Sequence, residues 1–275
     1  EVVSSYPESE RKRVRVIHHD LKAELNPEIT ATIGKVDYIS HLAAGSHVDR
    51  SITYPLEFVM DNVVGTAHIL DYARKLDSLE RFAYFSTDEV FGPAPKGINY
   101  KENDRYNSTN PYSATKAASD HMVRAWYKTY KLPIKIINCS NNYGPRQFPE
   151  KLIPLMTINA INGHKLPIYG KGENVRDWLY VNDHCQAIWQ VMTLGEIGET
   201  YNVGGSNEKS NNEILLSPNP FRISNNHLLS IWNLFPGSKV RIMTLNGLVL
   251  KSFQLSENEN KINNWNGIIE NGNHI

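Results

Sequence analysis

Tyr112 and Lys116 stand four positions apart, so on a helix they project from one face, one turn from each other. That spacing has a chemical use. A free tyrosine titrates near pH ~10, and acting as a base near neutrality means lowering that value by about three units, or ~4 kcal/mol. An adjacent ammonium favours the phenolate, and a phenolate beside an alcohol can take its proton while a hydride departs. Upstream, Thr87, Asp88 and Glu89 follow the apolar, aromatic run Arg81–Ser86, which reads as a buried strand. In an open α/β sheet, ligands sit beyond the carboxyl ends of the strands, so these side chains point to a site. The spacing alone proves little, because Tyr127 and Lys131 repeat it on what reads as a solvated face of the same helix.

The elements around these residues follow from local chemistry. Asn110 is a good N-cap, Pro111 fits the first helical position, and helix formers continue through Ala125. Val14–Ile17 reads as a strand followed by His19-Asp20-Leu21, and Asn26–Ile33 as a helix. Val36–Ala44 reads as a second buried strand ending in small residues. Pro55–Leu76 reads as a long amphipathic helix with Phe58, Val59, Val63, Ala67 and Leu70 on one side. Pro133–Cys139 is another strand, ended by Asn141 and Asn142, and Lys151 begins a further helix.

With 275 residues the chain can hold one large α/β domain, or a medium domain plus a small one. Its 29 basic and 29 acidic residues cancel, which leaves no basic field for nucleic acid and no polybasic run for a membrane surface. Cys139 and Cys185 lack metal-ligand spacing and read as reduced, structural thiols. No apolar run approaches the ~20 residues of a membrane span. The sequence starts at Glu1 without a signal peptide, and the expectation is that its true start lies upstream.

Ser86-Thr-Asp-Glu-Val-Phe-Gly92, Asn110-Pro-Tyr-Ser-Ala-Thr-Lys116 and Asn138-Cys-Ser-Asn-Asn-Tyr-Gly-Pro145 resemble the extended short-chain dehydrogenase/reductase family, and within it the dTDP-glucose 4,6-dehydratases. The likeness runs from about Arg15 to about Leu215, with its motifs in the family's order. It implies a doubly wound, Rossmann-like parallel sheet, an NAD cofactor and a nucleotide-sugar substrate. Thr87, Asp88, Glu89, Tyr112 and Lys116 match the family's catalytic positions. Asp20, Leu21, Ala43, Ala44, Tyr112, Lys116 and Asn142 match cofactor contacts, although Asp20 also reads as a strand-end cap. Ser46, Thr87, Asn141, Lys151, Leu152, Pro167, Tyr169, Arg176 and Asn211 match substrate contacts, Arg176 offering a guanidinium fork to the diphosphate. The implied reaction has three steps: oxidation at C4 by Tyr112 with Lys116 and Thr87, elimination across C5 and C6 by Glu89 and Asp88, and hydride return to C6.

The sequence also departs from the family. Gly45 stands where Glu is usual and Asp61 where Thr is usual, and a carboxylate near a dinucleotide must be neutralised or turned away. Asn62 and Gly65-Thr66 keep the family's Asn-x-x-Gly-Thr pattern, in which the Asn usually ties neighbouring strands together. No Gly-x-x-Gly-x-x-Gly precedes Val14, so the sheet is expected to lack its first strand. Gly170-Lys-Gly172 lacks the third glycine and the βα context of a dinucleotide loop.

Residues 1–215 therefore read as an epimerase/dehydratase-like domain and residues 216–275 as a small β module. In the latter, Ser217-Pro-Asn-Pro-Phe221 breaks the chain. Leu228–Leu234, Lys239–Leu245 and Leu248–Leu255 read as strands, with Asn246-Gly247 as a hairpin turn. This stretch resembles a type IX secretion sorting module or a related immunoglobulin-like module; an ordinary β extension is the alternative. The family implies a cytoplasmic enzyme, whereas a genuine sorting module argues for export. A homodimer through the helices bearing Asn62 and Tyr112 follows by analogy. The rival functions are a nucleotide-sugar epimerase or decarboxylase, and an inactive fusion acting as a surface or interaction protein.

Overall fold

The computed structural model describes residues 6–95, 97–166 and 174–206, together with the backbone of short strands between residues 208 and 265. The chain divides into two units, one of residues 1–139 and 188–202, the other of residues 140–187 and 203–275.

The first unit opens with a single helical turn, α1 (Glu8–Arg11), and then α2 (Pro27–Ile33), whose N-cap Asn26 accepts from Ile29 N at 2.9 Å. It continues with β1 (Tyr38–His41), α3 (Val48–Thr53), α4 (Pro55–Phe58), a π-helical turn (Val59–Val64) and α5 (Gly65–Ala73). Then come β2 (Arg81–Thr87), a 3-10 turn (Asp88–Phe91), α6 (Pro111–Tyr130) and β3 (Ile134–Cys139). The last turns of α8 (Val181–Leu194) and β6 (Thr200–Val203) complete it. The sheet order is β1-β2-β3-β6, with β1 parallel to β2 and β2 parallel to β3.

The central strand β2 is buried from Phe82 to Thr87, as a parallel strand covered on both faces requires. On one face Phe82 and Tyr84 pack with Ile134 and Ile136 against Leu70 and Ala73 of α5 and Val123 of α6. Lys135 alternates with those isoleucines and points the other way. Its ammonium donates to the carbonyls of Val191 and Met192 at 2.7 and 2.8 Å, near the end of α8. Helices thus stand on both faces of a parallel sheet, the expected α/β layering.

Two expectations need correction. Val14–Ile17 forms no strand; Val14 and Val16 are 53% and 65% exposed, and no strand pairs with the segment among the described residues. The helix expected over Pro55–Leu76 is interrupted by the π turn, in which Gly65 N donates to Met60 O five residues back. The extra residue per turn rotates the buried face to Phe58, Asn62, Thr66 and Leu70, and leaves Val59 40% exposed.

In the second unit β4 (Asn141–Tyr143) runs parallel to β5 (Val175–Tyr180), which pairs antiparallel with β7 (Glu208–Ser210); α7 (Leu152–Ile161) lies between β4 and β5 in sequence. Further on, β9 (Leu229–Ile231) pairs antiparallel with β8 (Leu216–Ser217) and β12 (Ile262–Trp265). β10 (Lys239–Met243) pairs antiparallel with β11 (Val249–Gln254). Pro218–Phe221 and Asn246-Gly247, read above as a breaker and a hairpin turn, lie outside the described residues, as do Pro167, Tyr169 and Asn211.

Emptying the centre of the first unit should carry a large cost. Phe82 is fully buried, so Phe82→Ala should lower unfolding stability by about 3–5 kcal/mol, read by urea denaturation.

Candidate active site

The site is built where β2 ends. Thr87 has extended backbone, and its hydroxyl accepts from Glu89 N at 3.3 Å, which starts the 3-10 turn at once. That tight turn fans Asp88 and Glu89 out beyond the strand, Asp88 exposed and Glu89 half-buried. Thr87 also donates to Asp88 Oδ1 at 3.3 Å.

The helix α6 arrives with a full capping box. Asn110 Oδ1 accepts from Ser113 N at 2.8 Å, and Asn110 N donates to Ser113 Oγ at 3.3 Å. The same Asn110 amide turns its Nδ2 to Glu89 Oε2 at 3.3 Å. The sequence marks Asn110 only as a cap; here it also joins the helix of the base to the turn of the carboxylates. Tyr112 N donates to Ser51 Oγ at 3.1 Å, which docks the first turn of α6 on α3. Phe58 meets the Tyr112 ring edge-on, with centroids 6.5 Å apart.

The electrostatics of the pair follow from burial. The Tyr112 phenol is pushed well above its ordinary value, first by burial and then by the charges of Glu89, Cys139 and Asp88; a hydrogen bond with Thr87 opposes this. Lys116 is buried, donates to Phe85 O at 2.5 Å and stands 4.3 Å over the Tyr84 ring. Burial pulls its ammonium down to about 8, against the opposing charges of Asp120 and Cys139. Both groups are thus held towards their neutral forms, and a phenolate at Tyr112 needs added positive charge. Thr87, Asp88, Glu89 and Tyr112 converge on one spot, with Lys116 one turn behind the phenol.

The other expected positions in this unit form a second group. Asn62 accepts from Gly45 N at 2.7 Å and donates to Gly45 O at 3.1 Å and Thr115 Oγ1 at 2.9 Å. This pins the loop after β1, which carries Ala43, Ala44 and Ser46. A Cβ at Gly45 would meet the Phe58 ring at 3.1 Å, so a side chain there must displace that ring. Leu21 O accepts from His68 Nδ1 at 2.8 Å, and Gly65 leaves room for its side chain. Asp20 is exposed and accepts from Lys22 N at 3.0 Å; no strand precedes it to cap. Asp61 shares one cation with Asp20: Lys22 Nζ lies 3.6 Å from Asp61 and 3.4 Å from Asp20, so the two carboxylates are only partly offset.

In the second unit, Asn141 and Asn142 pair in register with Trp178 and Leu179, and the buried Asn142 Oδ1 has no hydrogen-bond partner among the described residues. Lys151 is the N-cap of α7, directly before Leu152, and lies 3.8 Å from Glu150. Arg176 is exposed on β5, with its guanidinium donating to Val175 O at 3.0 Å. No group of His, Cys, Asp and Glu that could hold a metal ion occurs among the described residues.

As a cofactor site the first unit offers a carboxylate at Asp20 able to accept from an exocyclic amine, small residues at Ala43 and Ala44, and the phenol and ammonium of Tyr112 and Lys116. In the second unit the orphaned Asn142 oxygen is a further acceptor. The donor set of the first unit by itself fits a dinucleotide.

Fold and site together define a Rossmann-like α/β protein with a strand-end Thr-Asp-Glu facing a helix-borne Tyr. The family model for GDP-mannose 4,6 dehydratase matches residues 1–224, and the chain belongs to that family. It is 53% identical over 198 residues to dTDP-glucose 4,6-dehydratase 1 of Escherichia coli K12, covering 66% of this chain and 55% of the relative. A Neisseria gonorrhoeae dTDP-glucose 4,6-dehydratase is 53% identical over 188 residues, covering 65% of this chain and 54% of its own. The chain thus spans about half the length of the curated relatives it matches. Among solved structures, the Streptomyces venezuelae dTDP-glucose 4,6-dehydratase with NAD bound superposes with a TM-score of 0.68 at 43% identity, covering 73% of this chain and 61% of that one. The Bacillus anthracis enzyme in complex with NAD gives 0.59 at 47%, covering 65% and 54%.

The buried lysine makes stability depend on pH. An unfolded lysine keeps its proton to about 10.5, whereas folded Lys116 releases it near 8, so in between the unfolded chain binds more protons and stability rises with pH. The raised Tyr112 acts oppositely only above its ordinary value of 10.0. Between about pH 8 and about pH 10, Lys116→Met should remove up to about 2–3 kcal/mol of this rise, read by denaturation at stepped pH.

Proposed function

We propose that the chain carries the chemistry of a nucleotide-sugar 4,6-dehydratase acting on dTDP-glucose, with NAD as a recycled cofactor. The observation that carries this reading is the convergence of Thr87, Asp88 and Glu89 on the Tyr112 phenol, one turn from Lys116. Two adjacent carboxyls beside the phenol are what an elimination needs and what an epimerase or decarboxylase does not. The dTDP-glucose 4,6-dehydratases at 52–53% identity support the substrate class.

When bound, NAD supplies a hydride acceptor that later returns the hydride, together with a cationic ring. The chain's own residues do the rest. Tyr112 takes the proton of the 4-hydroxyl, Lys116 favours its phenolate, and Thr87 orients the hydroxyl through the hydrogen bond it shares with the phenol. The ketone at C4 acidifies the C5 proton; Glu89, steered by Asn110, removes it while Asp88 protonates the departing 6-hydroxyl. Asp20 and Leu21 would take the adenine end and Ala43 and Ala44 the backbone approach. Ser46, Asn141, Lys151, Leu152, Pro167, Tyr169, Arg176 and Asn211 are proposed for the nucleotide sugar, and Asn142 for the cofactor.

The NAD reading implies a cytoplasmic site of action, and no helix among the described residues is long and apolar enough to cross a membrane. Residues 1–215 are proposed as the dehydratase-like domain and residues 216–275 as a separate β module resembling a type IX secretion sorting module. The antiparallel strands β9–β12 support that division. A homodimer through α5 and α6 is proposed by analogy alone.

Calorimetric titration of the whole chain with NAD, followed by turnover of dTDP-glucose, tests the proposal. Micromolar binding and formation of the 4-keto-6-deoxy sugar are expected; absent heat and absent turnover would leave the inactive interaction protein. Asp88→Asn should slow elimination by about 10²-fold or more, with initial oxidation changed far less. Equal losses in both steps would overturn the assignment of Asp88 as the acid.

A further inference from the structure

Asp120 lies on α6 one turn beyond Lys116 and is fully buried. Its Oδ2 accepts from Ser86 Oγ and from the Tyr106 hydroxyl, each at 2.8 Å, while Oδ1 has no hydrogen-bond partner among the described residues. Nothing in the proposed reaction uses it. Lys116 and Asp120 share the i, i+4 spacing without an ion pair within 4 Å, and on an exposed helix that spacing is worth only about 0.2–0.5 kcal/mol. Burial changes that. The Lys116 ammonium rests on the Phe85 carbonyl and the Tyr84 ring, neither of which carries a formal charge. A buried ammonium compensated by dipoles alone is strongly disfavoured.

The strand explains why both groups sit there. Phe85 holds the lysine, Ser86 donates to Asp120, and Thr87 reaches the phenol, so three consecutive residues of β2 serve the three members of one site. Alternation along the strand does not separate them, because the backbone carbonyl of Phe85 rather than its side chain is used.

We propose that Asp120 is a positioning residue of the active site. It is the buried counter-charge that keeps Lys116 protonated and seated on Phe85, where its ammonium favours the Tyr112 phenolate. The groups facing the pair are Arg124 from α6, whose Nη2 is 3.5 Å from the Tyr106 hydroxyl, Tyr84 from β2, Tyr106 from the loop before α6, Cys139 from β3 and His41 from β1. Burial pushes the Asp120 carboxyl up to about 6, opposed by Ser86, Tyr106, Lys116 and Arg124, and the influence of Asp120 on Lys116 runs in the matching direction.

The proposal rests on reading Lys116 as the partner of the Tyr112 phenol, and its test does not require turnover. The whole chain, labelled with ¹³C at lysine Cε, is titrated by NMR, with the Lys116 signal identified by its loss in Lys116→Met. Asp120→Asn is expected to lower the Lys116 midpoint by about one unit or more. An unchanged midpoint alongside a lowered Tm would overturn the proposal and leave Asp120 a packing residue. If Asp120→Asn does not fold, Asp120→Ser, which also removes the charge, gives the same reading, and an unmoved Lys116 midpoint there overturns the proposal equally. A parallel NAD titration separates the two ideas, since failure to bind NAD sinks the dehydratase reading while the lysine midpoint still decides the pairing.

Discussion

The first unit depends on one buried amide. Asn62 is 1% exposed, and its side chain accepts from Gly45 N and donates to Gly45 O and Thr115 Oγ1, while its own carbonyl accepts from Ser119 Oγ at 2.9 Å. A buried amide left unpaired would cost about 1–3 kcal/mol, so the surrounding segments are held where these partners are. The π turn makes this geometry available. By widening the helix around Val59–Val64 it turns the Asn62 side chain inward, and the Asn62 carbonyl accepts from α6. The loop after β1, the helix over Asn62 and the helix of Tyr112 become one assembly, and the candidate site is assembled with them.

Within that assembly, low dielectric decides the charge states. Tyr112 and Lys116 are each pulled towards neutrality by burial, in opposite directions of proton affinity. Left to these forces the site rests with a protonated phenol and a weakly held lysine proton. Such a resting state responds to nearby charge: an added positive charge near the phenol lowers its proton affinity, and a removed negative charge near the lysine lowers that of the lysine. Tyr127 and Lys131 share the spacing but are not the solvated helical pair it suggests: Tyr127 is half-buried against the core cluster, and Lys131 is the exposed left-handed cap that ends α6.

Sequence patterns locate the site well where the chemistry is local. The aromatic run before Thr87 gives the central strand, Asn110-Pro111 gives the start of α6, and the Tyr112–Lys116 spacing gives their shared face. What escapes is whatever depends on pairing across distance. Val14–Ile17 has the composition of a strand, yet a strand is defined by a neighbour's ladder, and Val14 and Val16 remain exposed. The charge of Asp61 is partly offset by Lys22, 39 positions earlier, through an ion pair that no local pattern announces. Asp120 looks like any polar residue on an amphipathic helix, and only Ser86 and Tyr106 closing over it reveal a buried carboxylate. The π turn is equally hidden, because Val59–Val64 carries no Pro or Gly to mark it.

The adjacency of Asp88 and Glu89 gains meaning from the turn that bears them. In a 3-10 turn successive residues are separated by about 120° around the axis, so neighbouring carboxyls diverge and can address different atoms of one substrate. In a continued strand they would point to opposite faces of the sheet, and only one could reach a ligand on a given side. The Thr87 hydroxyl, by accepting from Glu89 N, ends the strand and begins the turn, and it therefore fixes the separation of the two carboxyls as well as touching the phenol. Asn110 then ties Glu89 to the cap of α6. A displacement of that helix would carry the phenol and the carboxylate together, so their relative placement is insulated from motions of the helix as a whole.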